Sequence, residues 1–406
     1  MQEVLEHLGL FALLVPEVMS DLITMDISMF TRLIIFISSA HLMHCFCVLH
    51  LFSQSGVTHE DAAPARGDIR VVMLNSGTNA AFYAGEGDAL ARPQTPKADL
   101  RAVPKLSSLT LAVHDITHAE MKFVSTINSI RSLTLGEAPD SIIIERAAYR
   151  EFFGMEFLEC LEICSSRISG DDFQGISKMI RLKELTIHQD IDCRAIKKIS
   201  LLRSLVRLRI EATHFSNESV KLIMSMPKLE SIAFSGANLS RNAIDTLVQN
   251  RTLTTVSFGV DSEEFKRNST MGLGGMQQLK NLSYGNAKMG LDEFALREVA
   301  TLVNLECLNC YINETSWEHL THLQRLKKLH SIELRANMYI SGENLKALSY
   351  HPSLEKVYLT YMKDTEVVDV LITMPNLKML MTADKADSEV VKYAKSRLNG
   401  VEINTH

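Results

Sequence analysis

A six-residue phrase that recurs between residues 106 and 382 limits what this 406-residue chain can fold into. It has apolar side chains at positions 1, 4 and 6, as in LECLEI (158–163) and LECLNC (305–310), and successive copies start 23 to 28 residues apart. Such a period is typical of repeat proteins, in which each unit buries its apolar side against the next unit. The apolar positions of the twelve copies are Leu106-Leu109-Leu111, Ile130-Leu133-Leu135, Leu158-Leu161-Ile163, Leu182-Leu185-Ile187, Leu205-Leu208-Ile210, Leu229-Ile232-Phe234, Leu253-Val256-Phe258, Leu279-Leu282-Tyr284, Leu305-Leu308-Cys310, Leu329-Ile332-Leu334, Leu354-Val357-Leu359 and Leu377-Leu380-Met381, where Thr382 takes the sixth place.

Each unit combines the pattern of a strand with that of a short helix. Positions 4 and 6 lie on one face of a strand, because side chains along a strand alternate between its faces. Further along the unit, Val220 and Ile223 recur at helical spacing after Ser216, which predicts an N-cap. Ser240 and Ser341 hold the same place in later units. The pattern therefore predicts an α/β fold with one strand and one helical segment in each unit.

On this pattern the chain resembles the leucine-rich repeat family over about residues 100 to 406. The resemblance implies a right-handed solenoid, or horseshoe, with a parallel β-sheet on its concave side and short helices on its convex side. The family often has Asn or Cys three residues after position 6. Here Asn holds that place only at Asn313 and Asn337, so the resemblance implies no particular subclass.

The chain before the repeats has a different composition, which predicts three parts: an N-terminal extension (1–56), a linker with a possible N-terminal cap strand (57–100) and the repeat domain (101–406). Residues 33–52 contain no Asp, Glu, Lys or Arg and are long enough to span a bilayer. They predict a signal peptide or a membrane anchor, and therefore export of the repeats. Met29 is a second possible start of this segment. A buried helix of an N-terminal domain is the alternative interpretation.

Catalytic and metal-binding motifs are missing from the sequence, so we expect neither an enzyme nor a cofactor. The His and Cys residues of HLMHCFCVLH (41–50) surround most of a helix within an apolar run, and we predict no metal site there. Cys307 and Cys310 have C-x-x-C spacing but occupy positions 3 and 6 of a strand, on opposite faces. We predict free thiols, with Cys160 and Cys307 on the concave surface and Cys310 in the core.

The longest interval between units contains ERAAYREFFG (145–154), with Tyr149, Phe152 and Phe153. One interpretation is a longer convex helix that these aromatic side chains cap. The other is a protruding element that contacts a partner.

Positions 2, 3 and 5 of the units predict the binding surface, because they lie on the concave side or at its rim. These positions carry seven basic and seven acidic residues, and the whole chain has a net charge of −6. A groove for nucleic acid would carry an excess of basic residues, so we predict a protein ligand instead. The predicted site residues are Arg131, Glu159, Glu162, Lys183, Arg207, Arg209, Glu230, Glu306, Glu333, Lys356 and Tyr358. Tyr358 also belongs to a patch with Tyr361, Met379 and Met381, which predicts part of the binding surface. The alternative is that this patch packs against a C-terminal cap (388–406).

These observations predict a non-enzymatic binding protein that is extracytoplasmic or membrane-anchored. The alternative is an intracellular ubiquitin-ligase adaptor of the F-box and leucine-rich repeat type. It rests on a faint resemblance of VPEVMSDLITMDISMF (15–30) to the start of an F-box. The tryptophan expected downstream is absent, since the sole Trp, Trp317, lies within the repeats.

Overall fold

The computed structural model describes residues 70–75 and 107–405, apart from 114, 137–142, 165–167, 212–213, 236–237, 260–271, 286–289, 314 and 338. The predicted extension (1–56), with its apolar segment 33–52, lies outside the described residues, as does most of the predicted linker. The three-part division of the chain therefore stays a prediction. Among the described helices, none is both long enough and apolar enough to cross a bilayer.

Fourteen parallel strands form one sheet, in which each strand pairs with the next one along the chain. Equivalent unit positions pair across the strands, so that Leu161 is opposite Leu185, and Leu185 is opposite Leu208. The register is kept although the connections differ in length. The strands are β1 (Arg70–Asn75), β2 (Ser108–Val113), β3 (Ser132–Leu135), β4 (Cys160–Ile163), β5 (Glu184–Ile187), β6 (Arg207–Glu211), β7 (Ser231–Ser235), β8 (Thr255–Gly259), β9 (Asn281–Tyr284), β10 (Cys307–Tyr311), β11 (Ser331–Arg335), β12 (Lys356–Leu359), β13 (Met379–Thr382) and β14 (Glu402–Thr405).

Short helices connect most of the strands. Within the described ranges the α-helices are α1 (His118–Val124), α2 (Arg146–Phe152), α3 (Cys193–Ile199), α4 (Asn217–Met224), α5 (Arg241–Gln249), α6 (Glu293–Val299), α7 (Gly342–Leu345), α8 (Glu366–Ile372) and α9 (Glu389–Arg397). Segments of 3₁₀-helix at Ile176–Lys178, Leu273–Gly275, Trp317–Arg325 and Lys346–Leu348 serve the same connecting role. One strand and one helical segment per unit confirm the predicted leucine-rich repeat solenoid.

Three N-caps predicted from the sequence are confirmed. The hydroxyl oxygen of Ser216 accepts a hydrogen bond from the backbone N–H of Ser219 at 3.0 Å. Ser240 and Ser341 accept equivalent bonds at 3.2 Å and 3.3 Å. Each bond satisfies one of the N–H groups that a helix start leaves without an intrahelical partner.

The core lies between the sheet and the helices and is built from positions 1, 4 and 6 together with the inward residues of the helices. Aromatic side chains replace aliphatic ones at position 6 of three successive strands. Phe234 meets Phe215 edge-on, with ring centroids 5.0 Å apart, and stacks on Phe258 at 6.3 Å. Tyr284 continues this row 6.2 Å from Phe258. The row fills the core of these units with large apolar side chains.

Position 6 of the last repeat is Thr382, and not the neighbouring Met381 that completes the sequence pattern. Thr382 is buried, whereas Met381 is half-buried on the other face of β13. The Thr382 hydroxyl donates to the Asp384 carboxylate at 2.7 Å, and the backbone N–H of Met362 donates to the same carboxylate at 2.8 Å. A hydroxyl is tolerated in the core here because it has a hydrogen-bond acceptor.

The aromatic segment between β3 and β4 forms α2 and packs inward. Tyr149, Phe152 and Phe153 are at most 2% exposed. The Phe153 ring stacks on Phe173 at 5.4 Å. The interpretation as a convex helix is confirmed, but α2 is not longer than the others, since it has seven residues, as α1 and α3 have. The alternative interpretation, a protruding element that contacts a partner, is wrong, because its aromatic side chains lie in the core.

Candidate ligand-binding face

Positions 3, 5 and 7 of each unit lie on the side of the sheet opposite the helices, and position 2 lies at its rim. We call these residues the open sheet face. In β4, for example, Cys160 and Glu162 are half-buried on this face, while Leu161 and Ile163 are buried beneath it. The same alternation in β5 and β13 follows from the pleat of the strand.

Most charged residues predicted at this face pair with a charged neighbour on the adjacent strand. The in-register sheet puts equivalent positions next to each other, so opposite charges at the same position meet. Arg207 pairs in this way with Glu184 at position 3. The pairs at position 2 are Lys183 Nζ with Glu159 Oε2 at 2.7 Å, Lys280 Nζ with Glu306 Oε1 at 3.1 Å, and Lys378 Nζ with Glu355 Oε1 at 2.9 Å.

A first charged cluster, the His188 cluster, consists of Glu162, His188, Arg209 and Glu211 at the ends of β4, β5 and β6. The Nε2 atom of His188 lies 2.7 Å from Glu162 Oε1, and its Nδ1 atom lies 2.9 Å from Glu211 Oε1. The Arg209 guanidinium donates to the same Glu211 oxygen at 3.2 Å. His188 thus bridges two carboxylates across three strands.

The two carboxylates determine the charge of His188. Burial by itself lowers the pKa of the imidazole, because it disfavours the charged form. Hydrogen bonds and attraction from Glu162 and Glu211 outweigh burial and raise the pKa of His188 to about 9. Burial raises the carboxyl pKa values, but the same contacts outweigh it and lower the pKa of both Glu162 and Glu211. With no other ion bound, the cluster at neutral pH holds an imidazolium between two carboxylates.

A second charged cluster, the Glu333 cluster, consists of Asn309, Tyr311, Glu333 and Arg335 on β10 and β11. The Glu333 carboxylate accepts hydrogen bonds from Asn309 Nδ2 at 2.7 Å and from Arg335 Nε at 2.6 Å. The Arg335 guanidinium also lies over the Tyr311 ring, 5.9 Å from its centroid. Glu333 is buried by these partners.

Between the two clusters, positions 3, 5 and 7 of the open sheet face carry no charged residue, and the charges of Glu230 and Lys280 lie beside them at position 2. Asn281 Nδ2 donates to Thr255 Oγ1 at 3.0 Å, which satisfies two buried polar groups within the sheet. The side chains in this part of the face are small and protrude less than the charged side chains of the two clusters. The residues at positions 3 and 5 of β7, β8 and β9 are Ser231, Ala233, Thr255, Ser257, Asn281 and Ser283.

The predicted site residues differ in their accessibility. Lys183, Glu230 and Lys356 are exposed, whereas Arg209 and Glu333 are buried within the two clusters. Buried members can affect a ligand only through the side chains they hold. The half-buried members are Arg131, Glu159, Glu162, Arg207, Glu306 and Tyr358.

Arg131 contributes a further surface feature at the rim. Its guanidinium lies 5.6 Å from the centroid of the Phe157 ring, and that of Arg181 lies 5.4 Å from the same centroid. Phe157 is 41% exposed. The contacts are of cation–π type, so Arg131 offers a ligand both a charge and the edge of an aromatic surface.

The cysteines follow the predicted alternation, with one correction. Cys160 is half-buried on the open sheet face, and Cys310 is buried in the core, as predicted. Cys307 has the predicted orientation but is buried instead of exposed, because neighbouring side chains cover it. Its Sγ atom lies 3.8 Å from His330 Nε2, and burial, followed by the charge of Glu306, raises its pKa to about 11. This thiol is therefore protonated at neutral pH.

Position 7 carries side chains that the sequence analysis did not include. Cys164, His188, Glu211, Tyr311 and Arg335 occupy it, and each lies at one of the charged clusters. The repeated phrase ends at position 6, so a search limited to the phrase stops one residue short. Continuing the alternation of the strand by one residue is the signal that finds them.

Comparisons with known proteins find distant similarities. No family model and no curated protein matches the chain. The chain is similar to the crystal structure of a TLR13–ssRNA13 complex, with 16% identity and a TM-score of 0.43, covering 75% of this chain and 47% of that one. It is also similar to an internalin (inlF) from Listeria monocytogenes, with 17% identity and a TM-score of 0.37, covering 75% of each chain. The chain thus spans about half of the TLR13 chain.

Proposed function

Because the chain is a leucine-rich repeat solenoid, we propose that it is a non-enzymatic scaffold that binds a protein ligand on the open sheet face. One observation carries this proposal: two clusters of mixed charge flank an uncharged, low centre on the same continuous surface. A protein ligand can insert side chains at such a centre and match its own charges to the flanks.

The arrangement of charge favours protein over nucleic acid. Lys183, Arg207 and Lys280 each pair with a carboxylate on a neighbouring strand. Binding to a polyanion depends on cations that are available to phosphate groups. Here a phosphate would compete with an existing carboxylate for each of these cations. A protein surface, which carries both signs of charge, can pair with either member.

Photo-crosslinking in the native cells tests which face binds. A photoreactive phenylalanine analogue replaces Ser257, at the uncharged centre, or Gln249, which is exposed on α5 and serves as the control. We expect a defined protein adduct from position 257 and none from position 249. Equal adducts from both positions, or an adduct from 249 alone, would place the binding surface elsewhere.

Charge reversal refines the same experiment. Lys183→Glu and Lys356→Glu change exposed side chains on opposite flanks of the open sheet face. We expect each to lower the yield of the adduct at position 257 several-fold, with unchanged circular dichroism. Arg209 is unsuitable for this test because it is buried, and its removal would alter the His188 cluster itself.

We also propose that the protein is exported or membrane-tethered through residues 33–52, whose apolar run supports either role. The intact mass and the cell fraction of the native protein test this. A shortened chain outside the cytoplasm indicates cleavage, and a full-length chain in the membrane fraction indicates a tether. A full-length soluble chain in the cytosol would contradict both and would favour the intracellular adaptor.

A further inference from the structure

Three side chains with metal-binding atoms converge at one end of the open sheet face. They are Glu162 at position 5 of its unit, and Cys164 and His188 at position 7 of two adjacent units. One ligand atom from each lies within 4.8 Å of the other two. In the described part of the chain, this is the one group of three or more such residues.

We propose that Glu162, Cys164 and His188 form a binding site for a divalent transition metal of the zinc type. Carboxylate oxygen, thiolate sulfur and imidazole nitrogen are the atoms that Zn²⁺ prefers. Three protein ligands leave the fourth tetrahedral position to water. The proposal stands on these residues alone and does not depend on the identity of any protein ligand.

The backbone fixes two of the three ligands. Cys164 and His188 directly follow β4 and β5, and both continue the hydrogen-bond ladder of the sheet. The N–H of Cys164 donates to Leu135 O at 2.8 Å, and the N–H of His188 donates to Ile163 O at 2.9 Å. A site carried by strands in register keeps its geometry better than a site carried by loops.

A second layer of contacts orients the ligands. The Nδ1 atom of His188 lies 2.9 Å from Glu211 Oε1, so that Nε2 faces Glu162. The Thr134 hydroxyl lies 3.4 Å from the second oxygen of Glu162. Histidine ligands of zinc typically donate their other ring N–H to a carboxylate, which fixes the tautomer and the orientation of the ring. Glu211 is in the position to serve this role.

The charge of the site is compatible with a divalent ion. Metal binding releases one proton from the His188 imidazolium and one from the Cys164 thiol to solvent. In that form Glu162, Glu211 and the Cys164 thiolate carry three negative charges, while Arg209 lies 3.2 Å from Glu211 and carries one positive charge. A divalent cation balances the remainder, so the loaded site is neutral. Burial of a neutral cluster avoids the cost of an uncompensated charge.

The required movement is small. Zinc bonds of about 2.0–2.3 Å in tetrahedral geometry separate the ligand atoms by roughly 3.3–3.8 Å. The present distance of 2.7 Å between His188 Nε2 and Glu162 Oε1 has to widen. The most distant pair of the three, at no more than 4.8 Å, has to approach by at most about 1 Å. Side-chain rotation alone supplies changes of this size.

Cobalt substitution tests the site in the full-length chain. The protein is treated with a chelator, dialysed and titrated with Co²⁺, which adopts the same tetrahedral site and gives a thiolate-to-cobalt charge-transfer band. We expect one Co²⁺ per chain with this band, and displacement of cobalt by Zn²⁺. The Cys164→Ser variant should lose the band, and its affinity for Zn²⁺ should fall by at least about tenfold.

Matched variants separate this site from other thiols. Cys160→Ser and Cys307→Ser should keep the band, although Cys160 lies on the same strand and Cys307 is adjacent to His330. Glu211→Gln should bind about 10–100-fold more weakly while it keeps the band, because it changes only the orienting contact. Circular dichroism checks the fold of each variant. Absence of the band in the parent protein, or a band that persists in Cys164→Ser, would overturn the proposal.

Discussion

The two faces of the sheet follow different rules. On the helix side, every unit repeats the same apolar positions, and only their size varies, as in the row of Phe234, Phe258 and Tyr284. On the open sheet face, successive units change from charged to uncharged and back to charged. Repetition of one face maintains the fold, since any unit can pack on the next. Variation of the other face allows a repeat protein to discriminate between ligands.

The largest expected effect comes from the helix side. Phe234→Ala removes a side chain that is 1% exposed and contacts two further rings. The lost apolar contacts and the cavity should lower the free energy of unfolding by about 3–5 kcal/mol. Urea denaturation followed by circular dichroism measures the change. A loss below about 1 kcal/mol would mean that the units repack freely. The helix side would then tolerate more variation than its repeated apolar positions suggest.

The Glu333 cluster is the place where the open sheet face should behave like the core. Glu333→Ala leaves the Arg335 guanidinium, whose side chain is 15% exposed, without its carboxylate. We expect a loss of about 2–4 kcal/mol, since removing one partner leaves a largely buried charge uncompensated.

A double-mutant cycle isolates that pair. The combination Glu333→Met with Arg335→Met should be less destabilising than the sum of its single variants, because no charge is left buried. Glu355→Gln, at the half-buried rim, is the control. It breaks the pair with Lys378 and should cost no more than about 0.5 kcal/mol. Additive losses at Glu333 and Arg335 would contradict the assigned pairing.

A pH dependence of stability should reveal the contribution of the buried His351. His351 is fully buried, and its Nε2 donates to Leu323 O at 3.1 Å. Burial, which the hydrogen bond only partly offsets, lowers its pKa below 6.5. The folded state therefore binds fewer protons than the unfolded state at acidic pH. The stability from neutral His351 is complete above pH 6.5 and is lost as the pH falls towards the folded pKa, by up to about 1.4 kcal/mol per pH unit.

Comparison with His351→Gln measures this contribution. Glutamine keeps a donor for Leu323 O but does not titrate. The difference in unfolding free energy between the parent and the variant should shrink between about pH 7 and pH 5. A difference that is constant over this range would mean that His351 is not held in its neutral form.

The smallest effect on stability should come from the rim. Glu230 lies in the same unit as Phe234 but is exposed. Glu230→Ala should change the free energy of unfolding by no more than about 0.5 kcal/mol, while it weakens the crosslink from position 257. Loss of stability without loss of the crosslink would reverse the roles assigned to the two faces.

Much of the helix side could be predicted from the sequence, because its signals are local. The alternation of positions 4 and 6 and the caps Ser216, Ser240 and Ser341 each depend on a few neighbouring residues. Thr382 shows the limit of this approach, since a polar residue takes a core position where Asp384 accepts its hydroxyl. That contact depends on a turn that the repeat does not specify.

The open sheet face was predictable only in part, since its contacts join different units. Aligning the units would have placed Lys183 beside Glu159, because both occupy position 2. The His188 cluster is harder to predict. His188 and Glu211 lie beyond the repeated phrase, and their meeting with Glu162 combines positions 5 and 7 of three units. The burial of Cys307 likewise depends on side chains from neighbouring strands.

The pairing of every strand only with its sequence neighbours has a mechanical consequence. A pulling force applied along the sheet acts on one joint at a time, because no contact within the sheet joins distant units in the described part of the chain. Each unit that detaches would release about 24 residues, or on the order of 80 Å of extended chain. The solenoid should therefore extend under tension as a series of separate steps, with the joints near the aromatic row holding longest.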